Sequence, residues 1–491
     1  MTSRPTPSRS KHSRSFGLLL LATAAGFAAC GDDDDTPSDT PAAGTGGRGG
    51  SGGAGGSSSG AAGSGGVGGS SSGAAGSGGA GGMGSGAAGA GGAAGSGGAG
   101  GSAGGQGGAS QGVSLTFLDD LNFGTPAGAG GQGGAGGQAG PGTKYPFGGL
   151  SGTFYDAAGK TIYAISDSRG APATGPVRLY PLPLQLDAGQ VGVTIDDEKA
   201  VLLRNPAGEL FAANSIDPEG IAPAPGGGFY VSSEGEVSPA QVLAPAIFRA
   251  APDGSYVGAL PVPARYLPDA AGAQQTTGVR NNGAFECLAT TPDARYLFAC
   301  NEVPVVQDGA PADYGQGGVV RVLRYGLAAD GTATPGAEFA YELEPVPGAD
   351  PGPKPDGTPR FRVSGLVDLL PIDETRLLAM ERATGEDAQG VFNNFVKIFE
   401  VSLAGAADVA GLNVTPAGAA RASKRLVLDV NAIVAQFEPG FQSVDNFEGL
   451  TFGPTLPSNK RSLLVVSDNN FSATQRTAFL AFEVDGLPPA P

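Results

Sequence analysis

Histidine is nearly absent from this 491-residue chain. The single histidine, His12, lies in an N-terminal leader that we expect to be removed. Its loss excludes Ser–His–Asp and Cys–His catalysis, histidine-ligated zinc or iron, and phosphohistidine chemistry. Any hydrolysis must therefore rest on carboxylates, Lys or Arg, hydroxyls, backbone groups or a metal bound through oxygen.

Basic residues are scarce as well: 29 Lys and Arg stand against 46 Asp and Glu, for a net charge of −17. Four of the 29 precede Cys30, so the chain after the leader carries 25 basic residues and a net charge of −21. This balance argues against nucleic acid and anionic membrane surfaces as partners. It favours metal cations or cationic ligands instead.

Long apolar runs are missing apart from FGLLLLATAAGFAAC at the end of the basic leader. That run is too short for a stable membrane span and predicts a signal peptide over residues 1–29. FAAC followed by Gly31 resembles a bacterial lipobox, which implies cleavage before Cys30 and lipidation of its thiol. Ordinary signal cleavage at an A-x-A-like site is the alternative. We expect an exported lipoprotein of the outer membrane, periplasm or cell surface, held to the membrane only by its lipid.

Residues 30–112 continue with DDDD and then with Gly, Ser and Ala in low complexity. Such a composition cannot bury a core, so we expect a disordered linker between the lipidated cysteine and a folded domain over 113–491. Matches to G-x-G-x-x-G in this stretch reflect composition alone, since no strand precedes them and no helix follows.

The folded part is rich in short β-type runs separated by Pro and Gly turns, and amphipathic helices are scarce in it. Five related hairpin units recur, 67 to 84 residues apart; they open at Ser151, Glu219, Glu286, Ser364 and Glu448. We predict an all-β fold, a β-propeller of five or six blades whose last blade is completed by the strand near Val113–Leu121. A sixth blade would lie around Asn393–Leu403. A β-sandwich is the alternative fold.

The motifs within these units resemble those of the phytase-like family, an exported bacterial group described by its esterase-like activity of phytase. They are GGLSGTFYD with YAISDSRG, DPEGIA with VSSEGE, RNNGAFECLA, LLAMER, and DNFEGL with SDNNFSATQRTAFLAFE. The resemblance extends over Val113–Val484 and implies a β-propeller and hydrolysis of phosphoesters or phosphodiesters. Two departures are Cys287, where other units have Gly, and serine at positions 151 and 364, where others open on Glu.

Acidic residues recur at the two ends of each hairpin, which antiparallel pairing brings to the same edge. In a propeller that edge is one mouth of the central channel. We predict catalytic roles for Glu219, Glu286 and Glu448. The predicted metal ligands are Asp167, Glu234, Glu302, Glu381, Asp468 and Asn469. Oxygen ligands without nitrogen or sulfur suit Ca²⁺, with Mg²⁺ as the alternative. The competing interpretation is that these polar residues only cap turns.

Three arginines in the same motifs, Arg169, Arg280 and Arg382, are predicted to bind a substrate phosphate. Each could instead pair with neighbouring carboxylates and brace the channel.

Two cysteines remain in the folded part, Cys287 and Cys300, at equal distances from the turn at Pro292–Ala294. They are therefore cross-strand partners, and an oxidising periplasm would allow a disulfide between them. Two reduced, buried thiols are the alternative.

Together these features predict a metal-dependent hydrolase, with Ca²⁺ as the expected metal, that cleaves phosphomonoesters or phosphodiesters at the cell envelope. We expect a monomer whose partner is a small phosphoester. The alternative function is a non-catalytic propeller that binds a ligand or partner protein at the acidic edge.

Overall fold

The computed structural model describes residues 112–124, 144–414 and 418–487. The predicted signal peptide, Cys30 and most of the predicted linker fall outside these ranges. Within them the chain forms 23 strands and six single-turn 3₁₀ segments, with no α-helix. None of the described residues belongs to a helix long and apolar enough to cross a membrane.

The strands form five antiparallel blades around a central axis. The N-terminal strand is β1 (Ser114–Phe123). Blade 1 contains β2 (Leu150–Asp156), β3 (Thr161–Ser166), β4 (Arg178–Asp187), β5 (Gln190–Val193) and the short β6 (Val201–Leu202). Blade 2 contains β7 (Pro218–Pro223), β8 (Phe229–Ser233), β11 (Ala246–Ala250) and β12 (Tyr256–Ala259), with a side ribbon of β9 (Glu236–Val237) and β10 (Val242–Leu243).

The other three blades follow in chain order. Blade 3 contains β13 (Phe285–Thr290), β14 (Tyr296–Asn301), β15 (Val319–Leu327) and β16 (Ala333–Glu342). Blade 4 contains β17 (Arg362–Pro371), β18 (Arg376–Glu386), β19 (Phe392–Ser402) and β20 (Ser423–Asp429). Blade 5 contains β21 (Phe447–Thr455), β22 (Arg461–Ser467), β23 (Thr477–Asp485) and β1.

The ring is closed by the N-terminal strand, as predicted. β1 pairs antiparallel with β23, with Ser114 opposite Asp485 and Phe123 opposite Thr477. The fold is therefore a five-bladed β-propeller, and the sixth blade considered around Asn393–Leu403 does not exist. That segment is β19, the third strand of blade 4, and the long hairpin β18–β19 explains why this repeat is longer than the first two.

An apolar cluster lies between each pair of neighbouring blades and holds the ring together. Between blades 2 and 3, for example, Tyr230 and Ile247 pack with Leu297 and Leu323, all of them fully buried. Alternation along each strand supplies these residues to both faces of a blade. Full burial of each such side chain contributes about 1.5–3 kcal/mol, so the interblade clusters account for most of the packing energy.

The innermost strands, β2, β7, β13, β17 and β21, surround the axis and contact one another in sequence. Close approach requires glycine at their opening turns. A side chain at Gly152 would clash with the backbone of Glu219 and Gly220, and one at Gly220 with Leu288 of the next blade. The repeated Ser-Gly and Glu-Gly pairs therefore allow five strands to pack around a narrow channel.

Candidate metal centre at the acidic mouth

The carboxylates that open the inner strands are positioned by β-bulges. The register of the inner hairpins shifts between Pro218 and Ile221, between Phe285 and Cys287, and between Phe447 and Gly449. The interruptions contain Glu219, Glu286 and Glu448 respectively. A bulge re-aims side chains and is common beside functional sites. Here it lets three blades direct a glutamate into one end of the channel.

A second set of carboxylates follows the neighbouring strand of the same hairpins. The backbone N–H of each donates to a carbonyl oxygen just before the inner strand: Asp167 to Gly149, Glu234 to Asp217, Glu302 to Ala284, and Asp468 to Asn446, at 2.8–2.9 Å. This shared hydrogen bond fixes the acidic residue at the same height in four blades. The repeat noticed in the sequence is thus a repeat of backbone geometry.

These side chains line one cavity of about 300 Å³ at the end of the channel, which we call the acidic mouth. Seven of the predicted acids contribute to its wall, together with two of the predicted arginines: Asp167, Glu219, Glu234, Glu286, Glu302, Glu448, Asp468, Arg280 and Arg382. Each of the seven acids is at least nine-tenths buried. A buried, concave and polar site of this kind is suited to a small ionic ligand.

Two groups of carboxylates, formed by acids of the mouth and by Asp217 beside them, are close enough to share a cation. Oxygen atoms of Glu234, Glu286 and Glu302 lie within 4.8 Å of one another, as do those of Asp217, Glu219 and Glu234. Asp167 Oδ1 is also buried and has no hydrogen-bond partner among the described residues. A set of buried carboxylate oxygens with an unsatisfied acceptor beside it fits a hard divalent cation.

Burial and mutual repulsion change the protonation of these acids. Desolvation first, and the charges of neighbouring carboxylates second, raise the pKa of Glu219, Glu234 and Glu286 well above its ordinary value. The same causes raise the pKa of Asp167 to about 7. Burial raises the pKa of Glu448 to about 8, although Arg382 opposes the shift. Without a cation the mouth therefore retains protons near neutral pH.

Arg382 is the cation in contact with these acids. Its guanidinium donates to Glu302 Oε1 at 2.7 Å and to Asn446 Oδ1 at 2.5 Å, and it lies 3.1 Å from Glu448 Oε1. Burial alone would lower the pKa of Arg382, but Glu448, Glu302 and Glu286 outweigh it and raise the pKa. The geometry matches the bracing role that the sequence left open for this residue.

The structure contradicts the placement of Glu381 at the mouth. β18 continues to Glu386, so Arg382 and Thr384 take the channel-facing positions and Glu381 points to the opposite face. There its Oε1 accepts hydrogen bonds from the Tyr341 hydroxyl and from Lys424 Nζ, both at 2.6 Å. The expected register was wrong by one residue, which reverses the face of every side chain.

Asn469 is also outside the cavity wall. Its Oδ1 accepts the backbone N–H of Gly149 at 2.9 Å and that of Phe471 at 3.1 Å, so the amide ties blade 5 to blade 1. Asn470, the next residue, lines the mouth instead. The turn after β22 therefore reaches the mouth through Asn470 and not through Asn469.

The two remaining arginines differ in position. Arg169 is away from the cavity wall and pairs with Glu236 at 3.0 Å and Asp217 at 3.5 Å. Arg280 lines the mouth and donates to the carbonyl oxygens of Pro304 and Gly309, without a carboxylate partner among the described residues. Of the two, only Arg280 presents a positive charge to the cavity.

Cys287 and Cys300 form a disulfide across β13 and β14, where they are directly paired. Cys287 takes the position that Gly220 occupies in β7 and Gly449 in β21. The link lies beside Glu286 and joins the two strands that carry Glu286 and Glu302.

Two residues of the mouth were not identified from the sequence. Asp217 belongs to one of the carboxylate groups, and Asn446 accepts a hydrogen bond from Arg382. Both precede an inner-strand glutamate by two residues, in DPEG and DNFEG. This common spacing is the signal that would have identified them.

Comparison with known proteins identifies a protein family that matches this chain. A family model described as "Phytase-like: Esterase-like activity of phytase" matches residues 145–471. No curated protein matches.

Among solved structures, a member of the DUF4221 family from Bacteroides vulgatus aligns at 8% identity over 76% of this chain and 98% of its own, with a TM-score of 0.31. A glycosyl hydrolase from Bacteroides ovatus aligns at 11% identity over 71% and 88%, with a TM-score of 0.29. Because both superpose poorly, the fold rests on the strand pairing of this chain itself.

Proposed function

Because the chain belongs to the Phytase-like family, we propose that it is a metal-dependent hydrolase of phosphomonoesters or phosphodiesters that works at the acidic mouth. The observation that carries this proposal is the group formed by Glu234, Glu286 and Glu302, buried within 4.8 Å of one another in a cavity. From the leader and the Cys30 motif we further propose that the protein acts as a lipid-anchored monomer at the cell envelope.

Glu234, Glu286 and Glu302 would hold the metal, and we propose Ca²⁺, with Mg²⁺ as the alternative. Ca²⁺ takes six to eight oxygen ligands in flexible geometry, which suits carboxylates supplied by two different blades. A bound cation would polarise a phosphoryl oxygen and lower the pKa of a water molecule.

Glu219 is suited to act as the general base. It lies beside Glu234 in the second carboxylate group, and burial raises the pKa of its carboxyl well above the ordinary value. A raised pKa improves a carboxylate as a proton acceptor near neutral pH. Arg280 would orient the phosphate, because its guanidinium faces the cavity without a competing carboxylate.

The experiment is a phosphate-release assay on the full chain with p-nitrophenyl phosphate and bis(p-nitrophenyl) phosphate. We expect turnover with Ca²⁺, Mg²⁺ or Mn²⁺, loss of turnover with chelator, and recovery when the metal is restored. Glu286→Gln should reduce kcat/KM at least about 100-fold. Glu209→Gln, the same change at an exposed loop position, should leave it unaltered. Absence of turnover with all three metals across a broad phosphoester panel would contradict the proposal.

A second candidate function is a non-catalytic propeller that binds a ligand or partner at the same mouth. Arg382 favours it, because a guanidinium held by Glu302 and Glu448 braces the mouth and has little capacity left for a phosphate. Calorimetric Ca²⁺ titration combined with the phosphate-release assay separates the two functions. Binding that Glu448→Gln weakens, in a protein without turnover, would support the second candidate.

A further inference from the structure

The opposite end of the central channel contains a second cavity, of about 450 Å³, which we call the apolar end. All five blades contribute to it. Its wall includes Ile221, Leu288, Leu369 and Leu450 from four inner strands. Three of these lie two positions beyond the mouth glutamates Glu219, Glu286 and Glu448, so the same face of each strand is acidic at one end and apolar at the other.

One charged side chain, Arg461, is buried in this apolar wall. Arg461 opens β22 and is 8% exposed, with its guanidinium carbon 4.6 Å from the centroid of the Phe452 ring. Its guanidinium forms no hydrogen bond or ion pair with the residues that the structure describes, and its Nε is shielded from solvent. Buried polar groups are nearly always paired, and an unpaired buried charge is costly.

The rest of the wall offers this guanidinium nothing to pair with. No carboxylate occurs among the described residues that line the cavity, and a second cation, the exposed Lys160, lies on its rim. Thr153 Oγ1, also in the wall, is a further buried polar atom that has no partner among the described residues. Burial lowers the pKa of Arg461, and no neighbouring acid offsets this effect. The cavity thus combines an apolar wall with a positive charge that has no ion-pair partner among the described residues.

We propose that the apolar end binds a single-tailed amphiphile with an anionic head, such as a medium-chain carboxylate. The carboxylate would pair with the Arg461 guanidinium, which matches its planar, two-oxygen geometry. The tail would cover the partly exposed apolar side chains of the wall, among them Phe154, Leu370 and Phe452. A neutral apolar ligand would leave the guanidinium unpaired, and a small inorganic anion would leave the apolar wall uncovered. This site is separate from the acidic mouth and independent of the function proposed there.

The test is isothermal titration of the full chain with decanoate. We expect one site, and binding at least about ten-fold weaker for decanol, which keeps the tail but lacks the charge. Acetate, which keeps the charge without the tail, should show no measurable heat. Chelator and Glu286→Gln should leave decanoate binding unchanged, since they act only on the acidic mouth.

Arg461→Met should weaken decanoate binding at least about ten-fold, and Arg461→Lys by less, because a cation remains. Arg324→Met is the matched control: Arg324 also stacks on an aromatic ring, that of Tyr296 at 4.7 Å, but lies outside the cavity. If Arg461→Met does not fold in a thermal melt, the comparison of decanoate, decanol and acetate on the unaltered protein decides. Equal affinity for decanol and decanoate, no binding of decanoate, or undiminished binding by a folded Arg461→Met protein would overturn the proposal.

Discussion

The two ends of the channel are built from the same five inner strands and have opposite chemistry. At the acidic mouth, Glu219, Glu286 and Glu448 extend from β-bulges into a cavity of carboxylates. Two residues further along each of these three strands, apolar side chains line the other end: Ile221, Leu288 and Leu450. The propeller holds equivalent residue positions at fixed places around an axis. The residue type at each position determines what the cavity can bind.

The two ends of the channel differ most clearly in the surroundings of one arginine at each end, Arg382 and Arg461. Arg382 is surrounded by carboxylates, with Glu302 and Glu448 within 3.1 Å of its guanidinium. Arg461 is buried in an apolar wall and has no carboxylate partner among the described residues. Arg382 therefore completes a charge network, whereas Arg461 leaves its charge available to a ligand.

The largest expected effect is on stability, and it comes from replacing each of these two arginines by methionine. Arg382→Met leaves Glu302 and Glu448 buried without their cation, so the free energy of unfolding should fall by about 3 kcal/mol in the absence of metal. Arg461→Met removes a buried charge that is unpaired among the described residues, together with its stacking on Phe452, so the free energy of unfolding should fall by no more than about 1 kcal/mol. Urea denaturation in chelator measures both.

Relative to the unaltered protein, added Ca²⁺ should recover part of the stability lost in Arg382→Met, whereas Arg461→Met should gain the same Ca²⁺ stabilisation as the unaltered protein. Equal losses for the two variants would contradict the view that only one of these arginines neutralises acids.

The architecture was predictable because it depends on local signals that repeat. Five hairpin units with Pro and Gly turns indicated blades, and the spacing around the ring indicated closure by the strand near Val113–Leu121. Blade number stayed open between five and six because strand length is set by tertiary pairing. β18 and β19 extend to 11 residues each, which no local turn signal marks.

The site was predictable only where the shared hairpin geometry holds. Glu219, Glu286 and Glu448 lie at bulges and do line one cavity. In blade 4 the bulge falls at Val367 and not at Ser364, so Glu381 pairs with Leu366 and points away from the channel. Arg461 carried no signal at all, since its isolation results from contacts among strands far apart in sequence.

The disulfide lies at the boundary between the two ends, because Cys287 separates Glu286 from Leu288. Its reduction opens a link between residues 13 apart, which should lower the free energy of unfolding by about 2–3 kcal/mol. Urea denaturation with and without a thiol reductant measures this, and a Cys287→Ala, Cys300→Ala protein, which should not respond to the reductant, is the control. Loss of Ca²⁺ affinity on reduction, with decanoate affinity unchanged, would show that the link positions the acidic mouth specifically.

The carboxyl groups of the acidic mouth should also determine how the stability of the protein depends on pH. Folding raises the pKa of Asp167 to about 7 and that of Glu448 to about 8, so the folded protein holds protons that the unfolded chain releases near pH 4. The free energy of unfolding without metal should therefore fall as pH rises from about 4 to about 8, by about 1.4 kcal/mol per pH unit for each such group. Thermal melts in chelator measure the trend.

Saturating Ca²⁺ should flatten this dependence, because a bound cation compensates the ionised carboxylates. Decanoate affinity should stay constant between pH 6 and pH 8, since the described wall of the apolar end contains no carboxylate. Stability in chelator that rises with pH would contradict the assignment of retained protons to the mouth.

The smallest expected effect concerns a hydroxyl in the wall of the apolar end. Thr153 Oγ1 is buried and has no hydrogen-bond partner in the part of the chain that the structure describes. Thr153→Val therefore removes no hydrogen bond seen there and should change the free energy of unfolding by less than about 0.5 kcal/mol. Thr291→Val is the matched control, because Thr291 Oγ1 donates to Asp293 at 2.6 Å and accepts from the backbone N–H of Tyr296 at 3.1 Å. That change should cost about 1–2 kcal/mol. A loss of stability at Thr153 as large as that at Thr291 would mean that the Thr153 hydroxyl already forms a hydrogen bond. The wall of the apolar end would then offer a ligand one unpaired polar group fewer.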